Sequence, residues 1–376
     1  MEDKYFMTNI FKRLVICIIL SALMITSFSS CATPESPVAD EPSTTAAPSS
    51  ETLPATTVEE PADDTPTLRW KIATTTGDLT ATTGYRKDEQ AIRGLHEAGF
   101  KYIDLSMYSF TRSSAYMSDN WREEVLKLKA VADELGMEFV QAHSQGGNPL
   151  SGAESEFIVQ ATIRSIEICE VLGIKNTVVH AGWESGLSKE AWFAKNKAFY
   201  ERLLPTAERC GVNILCENST AKNMGTNYYI NTASDMLEFI KYVDHPNFHG
   251  CWDTGHANCE PISQYDSIVT LGEEMYAIHF TDNSGTDSHM MPFFGSLDIN
   301  SIIKALIDIE YDGYFTLECD GKSRNQHSYK GPKLELLNEL YPDEAVKTSV
   351  LKLTRIEQEK FLYLLAEYII LNYPTA

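Results

Sequence analysis

NILCEN, residues 213–218, is a short apolar run with an ionisable side chain near its end, and the pattern recurs in FHGCWDT (248–254), MYAIHFT (275–281) and GYFTLEC (313–319). Four comparable runs precede it: WKIATTT (70–76), KYIDLSMY (101–108), EFVQAHS (138–144) and NTVVHAG (176–182). Apolar runs of this length, separated by amphipathic stretches, are typical of buried parallel strands joined by helices. Eight such units in residues 68–342 predict an α/β fold, a (β/α)8 TIM barrel. An open doubly wound sheet is the alternative, but no GxGxxG motif follows the first run.

The stretches between these runs carry apolar residues at helical spacing, and Trp121, Val125 and Leu128 of one stretch share a face. The predicted helices are Glu89–Glu97, Asp119–Leu135, Phe157–Leu172, Ala191–Cys210, Ser234–Tyr242 and Asn300–Ile309. Asp298 is a candidate N-cap of the last one. Residues 343–376 are predicted as a C-terminal helical extension packed on the outside of the barrel.

The composition is that of a soluble globular chain: of 376 residues, 43% are hydrophobic and 22% are charged. This excludes a wholly disordered, collagen-like or multi-span membrane protein. Asp and Glu number 53 against 31 Lys and Arg, which gives a formal net charge of −22. A surface of that sign repels polyanions, so we expect no nucleic-acid partner, whereas neutral sugars and cations are not disfavoured.

The N-terminus has the pattern of an export signal. A positively charged segment that ends at Arg13 precedes the apolar run Leu14–Ile25, whose 12 residues are few for a membrane span. Phe28-Ser29-Ser30-Cys31 follows and resembles a bacterial lipobox. Residues 1–30 are therefore predicted as a lipoprotein signal peptide and Cys31 as the lipidated residue. An ordinary signal peptide or an uncleaved anchor is the alternative.

Residues 31–67 are rich in Pro, Thr, Ser and acidic side chains, and they contain no aromatic residue, no Lys and no Arg. Such a segment buries too little apolar surface to offset its ordering entropy, so it is predicted as a disordered linker. Together with the lipobox, it predicts an exported, extracytoplasmic protein. Its contact with the bacterial cell membrane would be through the N-terminal lipid only.

Ionisable side chains lie where the predicted strands end, which is where TIM barrels place their functional sites. They are His143, His180, Glu217, Asp253, His256, His279, Asp282 and Glu318, followed by Asp287 and His289 in the loop after the seventh strand. Buried carboxylates are costly unless a cation neutralises them, and mixed Asp, Glu and His ligands suit Mn²⁺, Co²⁺, Zn²⁺, Fe²⁺ or Mg²⁺. The expected metal ligands are Glu217, Asp253, His279 and Glu318. Taken singly, His143 and His180 are equally consistent with structural histidines.

Three stretches carry a resemblance to a known family. They are Asp253-Thr254-Gly255-His256, His279-Phe280-Thr281-Asp282-Asn283 and Asp287-Ser288-His289-Met290-Met291-Pro292. With Gly295, Asp298 and Glu318, they resemble the xylose isomerase-like barrel superfamily, and the resemblance covers nearly all of residues 68–342. That superfamily includes sugar isomerases and epimerases, inosose dehydratases and type IV apurinic endonucleases. The resemblance implies one divalent metal on the same four ligands, with His256 and His289 contacting substrate oxygens.

The number of metal ions stays open. The additional residues His143, His180, Asp287 and His289 also match ligands of the three-metal endonucleases, so one ion is favoured and up to three fit the sequence. Pro292-Phe293-Phe294-Gly295 departs from the Pro-Gly-x-Gly that the family often has, so substrate specificity is not carried over. The candidate walls for a sugar ring are Trp183, Tyr108, Phe293 and Phe294, for which ordinary packing is an equal alternative.

The working hypothesis is a metal-dependent sugar isomerase or epimerase, or a related lyase, that acts on a small carbohydrate. Proton transfer next to a metal-bound carbonyl or hydroxyl needs an acid and a base, and Glu217 and Glu318 are the predicted pair. One alternative is a multi-metal phosphodiester hydrolase of the type IV endonuclease kind, which the acidic charge opposes. The other is a sugar-binding lipoprotein without catalysis. Metal stoichiometry tests the first alternative, and product formation tests the second.

Overall fold

The computed structural model describes residues 67–80, 88–150, 152–319 and 355–374. The predicted signal peptide, Cys31 and residues 32–66 of the predicted linker lie outside these ranges, so their roles stay predictions. Within the described ranges, none of the helices combines the length and the apolar composition needed to cross a bilayer.

Eight parallel strands close into a barrel in chain order, and the first strand pairs with the eighth. They are β1 (Ile72–Thr75), β2 (Tyr102–Ser106), β3 (Glu138–His143), β4 (Asn176–Val178), β5 (Asn213–Glu217), β6 (Phe248–Asp253), β7 (Met275–Phe280) and β8 (Phe315–Leu317). Each strand lies inside one of the eight apolar runs, so the predicted (β/α)8 barrel is confirmed. Because all strands are parallel, their C-terminal ends form one mouth, where Asp253 pairs in register with His279.

The helices of the described residues surround this barrel. They are α1 (Gly77–Thr80), α2 (Asp88–Ala98), α3 (Trp121–Leu135), α4 (Ser155–Leu172), α5 (Lys189–Tyr200), α6 (Leu204–Cys210), α7 (Ala221–Met224), α8 (Ala233–Val243), α9 (Thr254–Asn258), α10 (Gln264–Leu271), α11 (Ile299–Asp308) and α12 (Arg355–Asn372). Asp298 caps α11 as predicted, since its side chain accepts a hydrogen bond from the Ser301 N–H at 3.3 Å. Helix α10 has no counterpart in the prediction, although Ser263 caps it in the same way.

The prediction of one helix over Ala191–Cys210 is wrong. The structure has α5 ending at Tyr200 and α6 beginning at Leu204. Pro205 lies in the first turn of α6, where its missing N–H costs nothing, but within a continuous helix its ring would clash with the preceding turn. A proline in the middle of the predicted helix was the available signal.

Helix α12 packs beside α2 and β1 in the helical layer. The ring of Tyr363 meets Phe100 edge-on, with ring centroids 5.1 Å apart. The helix follows β8 in the chain and neighbours the first helices of the ring, as the last helix of a TIM barrel does. Residues 320–354 lie outside the described ranges, so the domain boundary at residue 342 stays a prediction.

The barrel interior has an apolar layer beneath a polar one. The apolar layer is the buried cluster of Val178, Leu215, Cys251 and Ala277. Side chains two positions apart on a strand point to the same face, so Glu217, Asp253 and His279 lie above this cluster, at the mouth. The six cysteines of the described residues are free, and burial raises the pKa of Cys251 to about 12, so this thiol stays protonated.

Candidate metal centre and substrate cavity

Four side chains from four consecutive strands converge at the barrel mouth. They are Glu217 at the end of β5, Asp253 at the end of β6, His279 in β7 and Glu318 just after β8. One donor atom of each lies within 4.8 Å of the others. The first three are buried, whereas Glu318 lines the cavity with 17% of its side chain exposed. The structure thus brings the predicted ligands together, and their binding of a metal stays a prediction.

The two carboxylate oxygens of Asp253 differ in their hydrogen bonding. Its Oδ1 accepts a hydrogen bond from the backbone N–H of His256 at 2.5 Å and so caps α9. Its Oδ2 is buried and has no hydrogen-bond partner among the described residues. Burial raises the pKa of this carboxyl to about 6. A buried, unpartnered carboxylate oxygen beside three other donor groups fits a divalent cation.

His279 has one ring nitrogen toward the centre and the other toward the barrel interior. Its Nδ1 lies 2.5 Å from Oε1 of Glu217 and 3.1 Å from Oε2 of Glu318. Its Nε2 lies 3.3 Å from Oδ2 of Asp104 and 2.8 Å from Nε2 of Gln141. Metal-binding histidines usually direct their second nitrogen to such a carboxylate, which fixes the ring. The strand-end rule misses Asp104 and Gln141, but a carboxylate inside the apolar run 101–108 was a visible signal.

Both candidate catalytic carboxylates are held ionised. Burial alone would raise the pKa of Glu217, but the neighbouring His279 and His180 outweigh it and hold the pKa well below its usual range. Burial would also raise the pKa of Glu318, but the neighbouring His279 and His289 outweigh it and lower this pKa to about 2. Although burial opposes it, the carboxylates of Glu318 and Glu217 in return raise the pKa of His279 well above its usual value. A divalent cation would replace this proton as the source of positive charge, because a histidine ligand must be neutral.

His143 and His180 form a second group of donor atoms with Glu217. Nε2 of His180 lies 3.2 Å from Nε2 of His143 and 2.5 Å from Oε2 of Glu217. Nδ1 of His143 donates to the Ser144 carbonyl at 3.0 Å, which leaves Nε2 with its lone pair. Burial and the nearby His180 lower the pKa of His143, so its ring is neutral, as metal binding requires.

His256, Asp287 and His289 form a third group. The Asp287 carboxylate lies 3.3 Å from Nε2 of His256 and 3.0 Å from Nε2 of His289. These two histidines outweigh burial and lower the pKa of Asp287. His289 has a left-handed backbone, with φ of 44°, which is uncommon for a residue with a side chain and clusters at functional sites.

Asp282 belongs to none of the donor groups found in the described residues. Its carboxylate accepts hydrogen bonds from the N–H groups of Asn283, Gly295 and Leu297, at 2.7, 2.9 and 2.9 Å. Its backbone pairs with Met290 in both directions. Asp282 therefore fastens the loop that presents Asp287 and His289.

The donor groups open into a cavity of about 900 Å³. Tyr108 and Trp183 line it, where sugar-ring walls were expected. The Tyr108 ring stands edge-on to His143, with ring centroids 5.2 Å apart. It also lies so close to Gly146 that a Cβ on that residue would be 2.3 Å from the ring, so a side chain at this position would displace the Tyr108 ring.

Residues 92–340 match the family model described as the xylose isomerase-like TIM barrel. The chain belongs to this family. It is 36% identical to the D-psicose 3-epimerase of Ruminiclostridium cellulolyticum over 112 residues, which are 30% of this chain and 36% of that protein. It is 26% identical to the L-ribulose 3-epimerase of a Methylomonas species over 262 residues, which are 64% of this chain and 80% of that protein. The match thus spans only about a third of the first relative's length.

The fold of this xylose isomerase-like barrel is similar to that of a solved structure, the D-allulose 3-epimerase from Methylomonas sp.. The TM-score is 0.60 at 19% identity, and the match covers 81% of this chain and 99% of that one. At this identity the likeness concerns the fold alone.

Phe293 and Phe294 differ from the expectation that they form walls of a sugar site, since neither is among the described residues that line the cavity. Phe293 is 2% exposed and packs 6.1 Å from the Tyr373 ring, while Phe294 packs 6.4 Å from the Phe361 ring of α12. Phe293 has φ of 73°, in the left-handed region that favours glycine. This xylose isomerase-like barrel therefore keeps a glycine-type backbone there and uses the Phe293 ring for packing near the C-terminus.

Proposed function

We propose that this protein is a divalent-metal-dependent epimerase or isomerase of a keto sugar. It would remove and return a proton at the carbon next to a carbonyl. The observation that carries the proposal is the convergence of Glu217, Asp253, His279 and Glu318 at the floor of a cavity. Its family relatives named as ketose 3-epimerases support the same chemistry.

Glu217, Asp253, His279 and Glu318 would hold the metal. A bound divalent ion polarises a sugar carbonyl and an adjacent hydroxyl, which acidifies the C–H bond beside them. The protein itself would supply the two acid–base groups. Glu217 ends β5 and Glu318 directly follows β8, and a carboxylate oxygen of each lies close to Nδ1 of His279. Carboxylates that approach from separate strands can flank one carbon, so one removes the proton and the other returns it to the opposite face.

The protonation states suit this role. The lowered pKa values of Glu217 and Glu318 make the carboxylate the resting form of each, so either one can accept the proton. The carboxyl group on the opposite side would first take up a proton from solvent and then deliver it to the carbon, which is why exchange with solvent is expected. The Tyr108 ring and Trp183 border the space above them and would exclude water from the sugar face. His256 and His289 also line the cavity and would hydrogen-bond the sugar oxygens.

A second candidate function rests on the other two donor groups. Together with the first, they bring nine Asp, Glu and His side chains to the barrel mouth, enough for up to three ions, and seven of the nine line the cavity. Such a set suits a multi-metal phosphodiester hydrolase. The net charge of −22 disfavours a nucleic-acid substrate, so we keep the single-metal epimerase as the primary proposal.

We further propose that the protein is exported and anchored outside the cytoplasm by a lipid on Cys31. The support is the sequence pattern of residues 1–31. Metabolic labelling with palmitate is expected to mark the full chain. Cys31→Ala should lose the label and the membrane association, and a labelled Cys31→Ala chain would contradict the proposal.

The catalytic proposal is tested by solvent exchange. The full chain, purified in detergent and loaded with Mn²⁺ or Co²⁺, is incubated with a panel of free ketoses in deuterated water and followed by NMR. We expect deuterium at the carbon next to the carbonyl, together with the epimer. Glu217→Gln and Glu318→Gln should each lower the rate by about 10²–10⁴-fold.

The matched control is Glu138→Gln, which makes the same substitution at the exposed, opposite end of the barrel in β3. It should exchange at the wild-type rate. Unchanged exchange in Glu217→Gln would contradict the mechanism. Calorimetric sugar binding without any exchange would support the sugar-binding lipoprotein instead.

A further inference from the structure

The cavity extends well beyond the four candidate ligands. At one end, its described lining includes Glu217, which ends β5. The residues at the other end follow β1 and β2 or begin α2; they are Thr80, Asp88, Phe110, Ser114 and Tyr116. In a closed barrel with strands in chain order, β1 and β2 lie across the mouth from β5 and β6. The cavity therefore crosses the mouth from the ligand side to an opposite wall.

The size of the cavity exceeds the need of one sugar ring. Its volume of about 900 Å³ is near the top of the range of roughly 300–1,000 Å³ that holds drug-sized ligands. A single hexose is much smaller than such a ligand. A hexose held at Glu217 would therefore leave part of the cavity unfilled.

That opposite wall, formed by Asp88, Phe110, Ser114 and Tyr116, has the chemistry of a sugar subsite. The partly exposed ring of Tyr116 packs against the buried ring of Phe110, with centroids 5.4 Å apart, and a partly exposed aromatic ring stacks on the apolar C–H face of a sugar. The Tyr116 hydroxyl donates to Oδ2 of Asp88 at 2.7 Å, which orients the carboxylate. A half-buried carboxylate accepts strong hydrogen bonds from neighbouring sugar hydroxyls.

We propose that the opposite wall binds a second sugar ring, so that the preferred substrate is a disaccharide or glycoside that contains a keto sugar. The inference rests on the proposed function for the placement of the keto-sugar ring at Glu217 and Glu318. Tyr108 lies between the two ends, edge-on to His143 and His180, and would contact the linkage between the rings.

The test compares one-ring and two-ring probes on the metal-loaded full chain. D-fructose is the one-ring probe, while lactulose and isomaltulose carry a second ring on fructose through different linkages. Affinity is measured by calorimetry and proton exchange, separately, by NMR. We expect at least one two-ring probe to bind about tenfold more tightly than D-fructose, since hydrogen bonds to a charged group are of that strength.

Asp88→Asn and Tyr116→Phe should bring this affinity ratio toward one. Asp119→Asn, an exposed residue outside the cavity lining, is the matched control and should keep the wild-type ratio. Two-ring probes that bind no more tightly than D-fructose, or a ratio that neither variant changes, would overturn the inference. If D-fructose exchanges its proton while the ratio is one, the inference fails and the proposed function stands. If lactulose binds in an Asp88-dependent way and no probe exchanges, the proposed function fails and the subsite stands.

Discussion

The half of the barrel mouth built by β5–β8 and the half built by β1 and β2 use different side chains for different tasks. The first presents buried ionisable groups, and Glu217, Asp253 and His279 are almost fully removed from water. The second presents aromatic and hydroxyl side chains, and Tyr108 there is 44% exposed. On the proposed function, reaction chemistry would be concentrated in the first half, and changes in the second half would alter substrate binding.

Substitutions in the two halves should also differ in their effect on the stability of the fold. Buried charges are stable only while each has its partners, so single changes in the β5–β8 half should have large effects. Half-buried aromatic and polar groups depend less on their neighbours, so changes in the β1–β2 half should alter binding more than folding.

Asp104 lies in β2, but we expect it to affect the affinity of the site for metal. Such an effect would show that the ionisable half of the mouth extends into the barrel interior. Asp104→Asn removes the charge behind Nε2 of His279, 3.3 Å away, and such changes weaken metal binding by about 10–100-fold. Competition titration with a coloured chelator measures the Kd for Co²⁺, without reference to activity.

Thr316→Val is the matched control for Asp104. Thr316 lies in the same buried layer but touches only Gln141 of that network, at 3.4 Å. Its Kd for Co²⁺ should stay within about twofold of wild type, because it removes a distant neutral group. Equal Co²⁺ affinity in Asp104→Asn and wild type would confine the metal centre to its four candidate ligands.

Gly146→Ala should displace the Tyr108 ring and leave the barrel intact. The new Cβ would lie 2.3–2.5 Å from the far end of that ring, which is exposed enough to swing away. We expect KM to rise about tenfold with little change in Tm, as in Tyr108→Ala. Kinetics of the double variant provide the check: its KM should match that of Tyr108→Ala, and additive effects would mean that Gly146 acts through another residue.

Asp88→Asn should have the smallest effect on the fold, a slight stabilisation that depends on pH. Burial raises the pKa of Asp88 above its ordinary value of 3.8, so the carboxylate costs stability at pH values above the raised pKa. As the pH falls through that pKa, the folded protein takes up the proton first and the cost disappears. Thermal melts should show Tm higher by about 1–2 °C at neutral pH, with the gain lost in acid. A gain of equal size at every pH would contradict this origin.

Much of the fold and the convergence of the candidate ligands are predictable because the signals are local. Each strand is a short apolar run, and the ionisable residues stand where those runs end, so Glu217 and Asp253 can be placed from the sequence. The hydrogen bond between Tyr116 and Asp88 depends on how two separate segments pack together, so no local sequence pattern predicts it. The Phe293 backbone likewise looks ordinary in sequence, yet it takes a left-handed φ and turns the ring away from the cavity.

Metal content tests the division of the mouth most directly. The full chain, Glu217→Gln and His180→Ala are reconstituted with Mn²⁺, Co²⁺ or Zn²⁺ and measured by mass spectrometry. We predict about one ion per chain, lost in Glu217→Gln and kept in His180→Ala, because His180 lies outside the four-ligand group. Two or three ions per chain, reduced by His180→Ala, would contradict the single-metal account and direct attention to phosphoester hydrolysis.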